Sequence, residues 1–514
     1  MIPLALSVVV LLFGAAISFE DNNLYGISHV TVVTTNLEVS RRYYTEVLGG
    51  MLVDGLSTGP EGVWGDSHFY RIFQDEILES RSTGRSLEDV GVPDISDNGD
   101  YKVVWDFILF SNTLIQLMTF VARSNNNIVF IRTDEKRGNA FIGSTHGCFF
   151  ADDTVVPLQQ IQDVINAQNN IPGYPEDYKG FLTYLPVTSF EQRKTLGVDK
   201  YLTPIADDFR LAVMRGPDAE RWEISYRRGT GLKPDLSIYC KEKGVFPLLQ
   251  DIVPKSRFQD RPSKRYAGLS HINAVVDDYE ASVKFYIDIL GGKENNKKTN
   301  RGRTIQAFER VIFQDETLEA IKAGVQPDEF FGIIQGKMGA GQQTLDVGFF
   351  LFDNFYFEPY RYTMNASYPN VPPYLYREKM SPAYTNEMHT GFWVKDDVPM
   401  ADFIRKMEAD SRRLQLFNVV ANRAINVNTL GASVQDDEYS DPFPDDHKLA
   451  GYDYVYFKGP SGEQLVLTKF LGKARATLQA AMEMYGAVST AFSSTNPWNW
   501  KGFDRKCKWM TQED

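Results

Sequence analysis

Cysteine is scarce. Three cysteines in 514 residues exclude a disulfide-dense secreted scaffold and leave no cluster for a structural zinc knuckle. Cys148 is expected in a buried strand beside His146 but off the face carrying that histidine; Cys240 in a linker and Cys507 in the tail are the candidate disulfide pair. Positive charge is also short. Against 67 Asp and Glu there are 54 Lys and Arg, a net charge of −13 at pH 7, which disfavours nucleic acid and anionic membranes because both call for basic patches.

Long apolar runs are missing after the amino terminus. Ile2 to Phe13 is almost wholly apolar, and Gly14, Ala15, Ala16 and Ser18 supply small residues. Residues 1–18 read as a secretory signal peptide cut after Ser18, although no Lys or Arg precedes the apolar run. The run falls short of the roughly 20 residues of a membrane span. The expectation is a secreted protein with no membrane attachment after cleavage. Asn365-Ala366-Ser367 is an acceptor sequon, relevant in a eukaryotic secretory route.

What the chain does have is a repeat. Gly26 to Gly50 reads GISHVTVVTTNLEVSRRYYTEVLGG, and Gly268 to Gly292 reads GLSHINAVVDDYEASVKFYIDILGG. His29 and His271 are 242 residues apart, as are Gly50 and Gly292. Downstream, WDFILFSNTLIQL resembles VGFFLFDNFYFEP and sets Gln116 on Glu358 at the same offset. At an offset of 243, HGCFFADD resembles HTGFWVKDD, and RGPDAERWEI resembles KGPSGEQLVL, setting His146 on His389 and Glu223 on Val466. Repeats at fixed offset are the signature of duplicated architecture.

Each half contains two modules. The first runs from Leu24 to Phe120, with a strand alternating His29, Thr31 and Val33 against Val30 and Val32, then a helix over about Leu37–Leu48 with a Val39, Tyr43, Val47 stripe. The second runs from Thr145 to Tyr226. Modules three (269–362) and four (388–470) repeat the plan. In chain order this gives a first domain over 24–228, a linker over 229–265, a second domain over 266–470 and an extension over 471–514, with a helix expected at Ala474–Tyr485. Whether modules pair within each half or exchange is left open. Asp94, Asp97, Asn98 and Asp100 faintly resemble a calcium loop, but Trp105 stands where its bidentate Glu belongs. The Asn496–Trp500 segment reads as packed tail or contact site.

A strand with His, a helix ending in Leu-Gly-Gly, and strands closing on a Gly-Pro turn resemble the vicinal oxygen chelate superfamily, the relatives of glyoxalase I, methylmalonyl-CoA epimerase and extradiol dioxygenases. The resemblance implies an α+β fold of four βαβββ modules forming two half-open barrels, each with a divalent metal between paired modules. Laid residue by residue on this chain, it implies ligands His29, Gln116, His146 and Glu223 in the first half. In the second half it implies His271, Glu358 and His389, with Val466 unable to ligate. On that grouping, loss of His29 matters more than loss of His271.

The residues support a metal independently. Only six histidines exist, and four of them open β-like runs at repeat-related positions; neutral imidazole is the commonest metal ligand. A lone histidine of this kind is more often a satisfied core residue, but four in register with Gln or Glu partners favour a site. His68 and His447 read as surface residues. The cation is Zn, Ni, Co, Mn or Fe(II), and its partner is a small molecule with vicinal oxygens. A Lewis-acidic centre with Glu223 as base gives isomerase, epimerase or lyase chemistry through an enediolate. Iron in a two-His-one-Glu set gives an extradiol dioxygenase instead. A secreted, non-catalytic binding protein is the third reading. Oligomeric state is not legible.

Overall fold

The computed structural model describes residues 23–64, 74, 82–86, 101–110, 112–122, 146–151, 157–182, 203–206, 209–218, 220–227, 266–276, 278–295, 299–304, 344–352, 354, 356–363, 389–422 and 443–485. The expected signal segment over residues 1–18, His68, Asp94–Asp100, the expected linker with Cys240, the Asn365 sequon, Cys507 and Asn496–Trp500 lie outside those residues. No helix among the described residues is long and apolar enough to cross a membrane.

Module one holds β1 (Leu24–Val33), α1 (Leu37–Arg42), β2 (Met51–Leu52), β3 (Val63–Trp64), β4 (Tyr101–Leu109) and β5 (Leu114–Ala122). Module two holds β6 (His146–Ala151), α2 (Pro157–Asn169), β7 (Phe181–Leu182), β8 (Thr203–Ala206), β9 (Phe209–Arg215) and β10 (Arg221–Arg227). Module three holds β11 (Tyr266–Val275), α3 (Tyr279–Val283), β12 (Lys293–Glu294), β13 (Asn300–Thr304), β14 (Thr344–Val347), β15 (Phe350–Leu351) and β16 (Tyr356–Thr363). Module four holds β17 (Thr390–Val394), α4 (Met400–Arg413), β18 (Tyr452–Lys458) and β19 (Gln464–Phe470), and α5 (Gly472–Tyr485) follows.

Local chemistry explains the repeated opening. The Asn36 side chain accepts the Val39 N–H at 3.2 Å, and the Asp278 side chain accepts the Ala281 N–H at 3.0 Å. Both are N-cap bonds that satisfy an orphan donor of the first turn. Each helix then widens into a π turn, Tyr43–Val47 and Lys284–Ile289, so the expected single helix over Leu37–Leu48 has two geometries. The first glycine of each Leu-Gly-Gly ends the helix at positive φ, 78° at Gly49 and 79° at Gly291, where a side chain is strained.

The strands form two sheets. One runs β18-β19-β17-β1-β5-β4-β2, with β3 beside β4; the other follows β12-β15-β16-β11-β6-β10-β9-β7, with β8, β13 and β14 attached. Module one therefore shares a sheet with module four, and module two with module three. The pairing left open by the sequence is thus an exchange of modules between the halves 24–228 and 266–470. First strands meet first strands: β1 runs antiparallel to β17, setting His29 opposite Gly391, and β11 runs antiparallel to β6, setting His271 opposite Cys148. One physical reason is visible at Gly391. A Cβ there would fall 2.4 Å from His29 Cε1, so this β1–β17 seam accepts only glycine.

Consecutive modules meet differently. Tyr44 of module one donates to Glu220 of module two at 2.7 Å, and Tyr286 of module three donates to Glu463 of module four at 2.6 Å. Thr35 adds bonds from its N–H and hydroxyl to Asp218, at 2.9 and 2.5 Å. The largest apolar cluster lies at this contact and draws on all four modules, with Val32, Tyr43, Phe149, Trp222, Tyr286, Phe350, Phe392 and Ile404 among its members. Between the sheets, two asparagines related by the repeat cross-link backbone. Asn112 Nδ2 donates to Leu269 O (2.8 Å) and Asn354 O (3.1 Å), and Asn354 Nδ2 donates to Ile27 O (2.6 Å) and Asn112 O (2.9 Å).

Candidate metal centre

Strand register assembles the first cluster. β6 lies between β11 and β10, and Cys148 is in register with both His271 and Glu223. On the next strand, Glu358 pairs with Asn273, two residues from His271. Residues directly opposite share a face, and so do residues two apart. His146, Cys148, Glu223, His271 and Glu358 therefore project to one side of the sheet.

Their tips converge. His146 Nε2 lies 3.4 Å from Glu223 Oε1 and 3.4 Å from Glu358 Oε2. His271 Nε2 lies 3.4 Å from Glu223 Oε2 and 3.3 Å from Glu358 Oε2. All four residues are buried, from 1% exposure at His146 to 7% at His271. Tyr360 stands edge-on to His146, and Phe349 edge-on to His271. Despite the proximity, His271 Nε2 and Glu358 Oε2 make no hydrogen bond. Separations of 3.3–3.4 Å from Glu358 Oε2 to both imidazoles suit N and O donors bonded at about 2.0–2.2 Å to one divalent metal. The two imidazoles and the Glu358 carboxylate therefore fit a divalent cation, with Glu223 within 3.4 Å of both imidazoles.

Electrostatics agree. Burial opposes the charged form of both imidazoles. For His146 the Glu223 and Glu358 carboxylates outweigh it and hold the pKa above its usual value; for His271 the Glu358 carboxylate, Cys148 and Glu223 raise it well above. The cluster is a focus of negative potential that proton or metal can satisfy.

The second cluster differs. His29 and Gln116, with His389 just before β17, share the other sheet with Val466, which pairs with Gly391. No carboxylate is among them, and several of the polar atoms bond one another, while His29 Nε2 makes no hydrogen bond. Thr31 Oγ1 donates to Gln116 Oε1 at 2.8 Å and lies 2.8 Å from His389 Nε2. Ser28 Oγ sits 3.0 Å from His29 Nδ1 and accepts from Thr468 at 2.8 Å. Burial, then the neighbouring His389, push His29 well below its usual pKa. Phe107 packs edge-on to His29, and Tyr456 edge-on to His389. Around them lies an apolar cluster of Trp105, Met118, Tyr452, Tyr454, Val466 and Phe470, joined by Ala474 and Leu478 of α5. The expected helix at 474–485 thus exists and packs on this barrel.

Residues 268–328 match the model of the Glyoxalase/Bleomycin resistance protein/Dioxygenase superfamily. That segment opens module three, whose strand, capped helix, π turn and glycine pair recur in module one. The chain carries the vicinal oxygen chelate fold. Its two curled sheets, each built from two βαβββ-type modules, are the half-barrels of that fold. No curated protein matches the chain. Among solved structures, glyoxalase I from Zea mays aligns at 12% identity and a TM-score of 0.39, covering 89% of this chain and 96% of that one. A glyoxalase family protein from Bacillus cereus aligns at 13% identity and 0.18, covering 40% and 93%. A catechol 2,3-dioxygenase aligns at 11% identity and 0.19, covering 87% and 88%.

The seven expected ligands thus fall into clusters other than those expected. His29 and Gln116 lie in one sheet, His146 and Glu223 in the other, so the first-half quartet does not assemble. Glu358 and His271 join His146 and Glu223, while His389 joins His29 and Gln116. Cys148 was misjudged: two residues from His146 in a strand, it shares that residue's face, a period-2 signal present in the sequence. Thr31 and Ser28, which bond the second cluster internally, carried no signal of their own. His447 stacks on Phe443 at 4.9 Å and accepts the Leu449 N–H, a local role consistent with a residue outside either cluster.

Proposed function

We propose that His146, Glu223, His271 and Glu358 form the divalent-metal centre of a glyoxalase-like enzyme that moves a proton on carbon next to a carbonyl. The observation that carries this reading is the set of 3.3–3.4 Å separations from two imidazoles to two carboxylates in a buried setting. A bound divalent cation supplies Lewis acidity toward a substrate carbonyl oxygen. The protein's own groups do the rest. The imidazoles hold position against Tyr360 and Phe349. Burial keeps bulk water from the reacting carbon, and Glu223, whose two oxygens face both imidazoles, is the proton acceptor.

A ring-cleaving dioxygenase is the weaker reading. That chemistry uses two His and one carboxylate with the remaining positions open, whereas a second carboxylate occupies this cluster. The substrate class is a small molecule with vicinal oxygens. Export, from the apolar segment at residues 1–18, belongs to the proposal and is checked by amino-terminal sequencing of protein from culture medium.

The test pairs elemental analysis with isotope exchange. About one equivalent of zinc, nickel, cobalt or manganese is expected, with deuterium incorporated from D2O beside the carbonyl of small α-hydroxycarbonyl compounds, and Glu223→Gln abolishing incorporation. A metal-free protein that cannot be reconstituted refutes the centre. Bound iron with oxygen uptake replaces the proposal with the dioxygenase reading.

A further inference from the structure

The centre contains one more donor than the chemistry above uses. We propose that Cys148 is a sulfur ligand of the same cation, so that this centre takes a thiophilic divalent metal rather than magnesium or calcium. The proposal rests on the metal-centre reading of the preceding subsection and adds a ligand to it.

Three observations carry it. First, Cys148 Sγ, a Glu223 carboxylate oxygen and a His271 ring nitrogen all lie within 4.8 Å of one another, as do donor atoms of His146, His271 and Glu358. Bonds of about 2.3 Å to sulfur and about 2.0–2.2 Å to nitrogen or oxygen bridge such a span through one ion. The two groups share His271, which places the Cys148 sulfur next to the donors of the centre. Second, Cys148 is the register partner of Glu223 on one neighbouring strand and of His271 on the other. It is thus central among the donors, and it is fully buried at 0% exposure. Third, His271 Nε2 and Glu358 Oε2, both on residues more than nine-tenths buried, are aimed into the cluster without a hydrogen bond.

The repeat supplies an internal contrast. The residue opposite His29 in the other barrel, where Cys148 stands opposite His271, is Gly391. A Cβ there would lie 2.5 Å from His29 Nδ1. That barrel has neither the sulfur nor room for it.

The chemistry balances without redox change. The S–H bond of Cys148 is replaced by a sulfur–metal bond, and the proton leaves to solvent; metal binding is accordingly coupled to proton release. Thiolate is a soft donor and favours zinc and cobalt over the hard cations.

The test uses cobalt(II) on the full chain with Cys240 and Cys507 replaced by serine, so that Cys148 is its single thiol. The expected spectrum has visible d–d bands and a near-ultraviolet sulfur-to-cobalt charge-transfer band. In the same background, Cys148→Ser is expected to lose the charge-transfer band and keep the visible ones. Visible bands without charge transfer in the single-thiol chain overturn the sulfur ligand and leave the metal centre standing. No cobalt spectrum at all overturns the centre and the ligand with it. Because the single-thiol chain decides alone, a Cys148→Ser chain that fails to fold does not spare the proposal.

Discussion

The regrouping of ligands is open to a paired test with His271→Ala and His29→Ala. A structural zinc site with four protein ligands binds with about 10–16 kcal/mol, or roughly 3 kcal/mol per donor. Removing His271 takes one donor from the His146, Glu223, His271, Glu358 set and is expected to weaken metal about 150-fold. At a free metal concentration 1,000 times the original Kd, the ligand-linked stabilisation of about 4 kcal/mol then falls to about 1 kcal/mol. His29 is as deeply buried, at 0% exposure, and truncating it leaves a cavity beside Phe107 that costs about 3 kcal/mol. That loss is independent of metal. The assay is metal content after gel filtration, with denaturant unfolding with and without added zinc. His271→Ala is expected to lose both bound metal and the zinc-dependent stabilisation; His29→Ala loses baseline stability alone. Stoichiometric metal kept by His271→Ala but lost by His29→Ala would refute the assignment of the centre to this cluster.

Asn112→Ala is expected to cost about 3 kcal/mol, since its side chain bonds Leu269 at both N–H and C=O as well as Asn354 O at roughly 1 kcal/mol each. The Asn112→Ala/Asn354→Ala double variant should fall short of additivity, because the two side chains serve one seam; urea unfolding measures both. Burial, then the Asp218 charge, raise Glu220 from 4.5 to about 8, against the Tyr44 hydroxyl and two backbone N–H donors. A raised carboxyl stabilises the fold below about pH 4.5, and that contribution drains away as pH climbs through 8. Unfolding at pH 6 and pH 9 should therefore show stability falling by an amount of order 1 kcal/mol per pH unit up to pH 8, and Glu220→Gln should flatten the profile. Leu478→Ala in α5, fully buried against the second barrel, should cost about 3 kcal/mol while leaving metal content unchanged, as read by unfolding and elemental analysis.

Much of the fold is legible in the chain, for physical reasons that differ by element. The opening of modules one and three shows because three local signals agree: β-branched alternation, an Asn or Asp cap, and a glycine pair that ends the helix at positive φ. The positions that share the two clusters also show, because duplicated strands keep face and register. The pairing does not show. Four homologous first strands offer the same edge to any partner, and the contacts that choose among them are few: Gly391 beneath His29, Asn112 and Asn354 across the seam, and Tyr44–Glu220 and Tyr286–Glu463 at the helix faces. Each is ordinary in sequence and acquires meaning only from a neighbour more than a hundred residues away. Cys148 was readable from strand period alone; its two-residue spacing from His146 puts both on one face.

Pairing decides charge as well as geometry. If modules paired in chain order, the first barrel would hold His29, Gln116, His146 and Glu223, and the second His271, Glu358, His389 and Val466, one carboxylate each. The observed exchange puts Glu223 and Glu358 together and leaves Gln116 and Val466 together. Two carboxylates neutralise a divalent cation in a site that water cannot reach, whereas a buried cation facing two neutral imidazoles, an amide and an isopropyl group would keep its full charge in a low-dielectric setting. In that barrel the candidate positions bond or pack against their neighbours. Thr31 bonds Gln116 and meets His389, Phe107 and Tyr456 pack the rings, and α5 joins the apolar cluster around them. One barrel gathers Glu223 and Glu358 and the other gathers Gln116 and Val466, and the division follows the exchange of modules rather than the order of the halves.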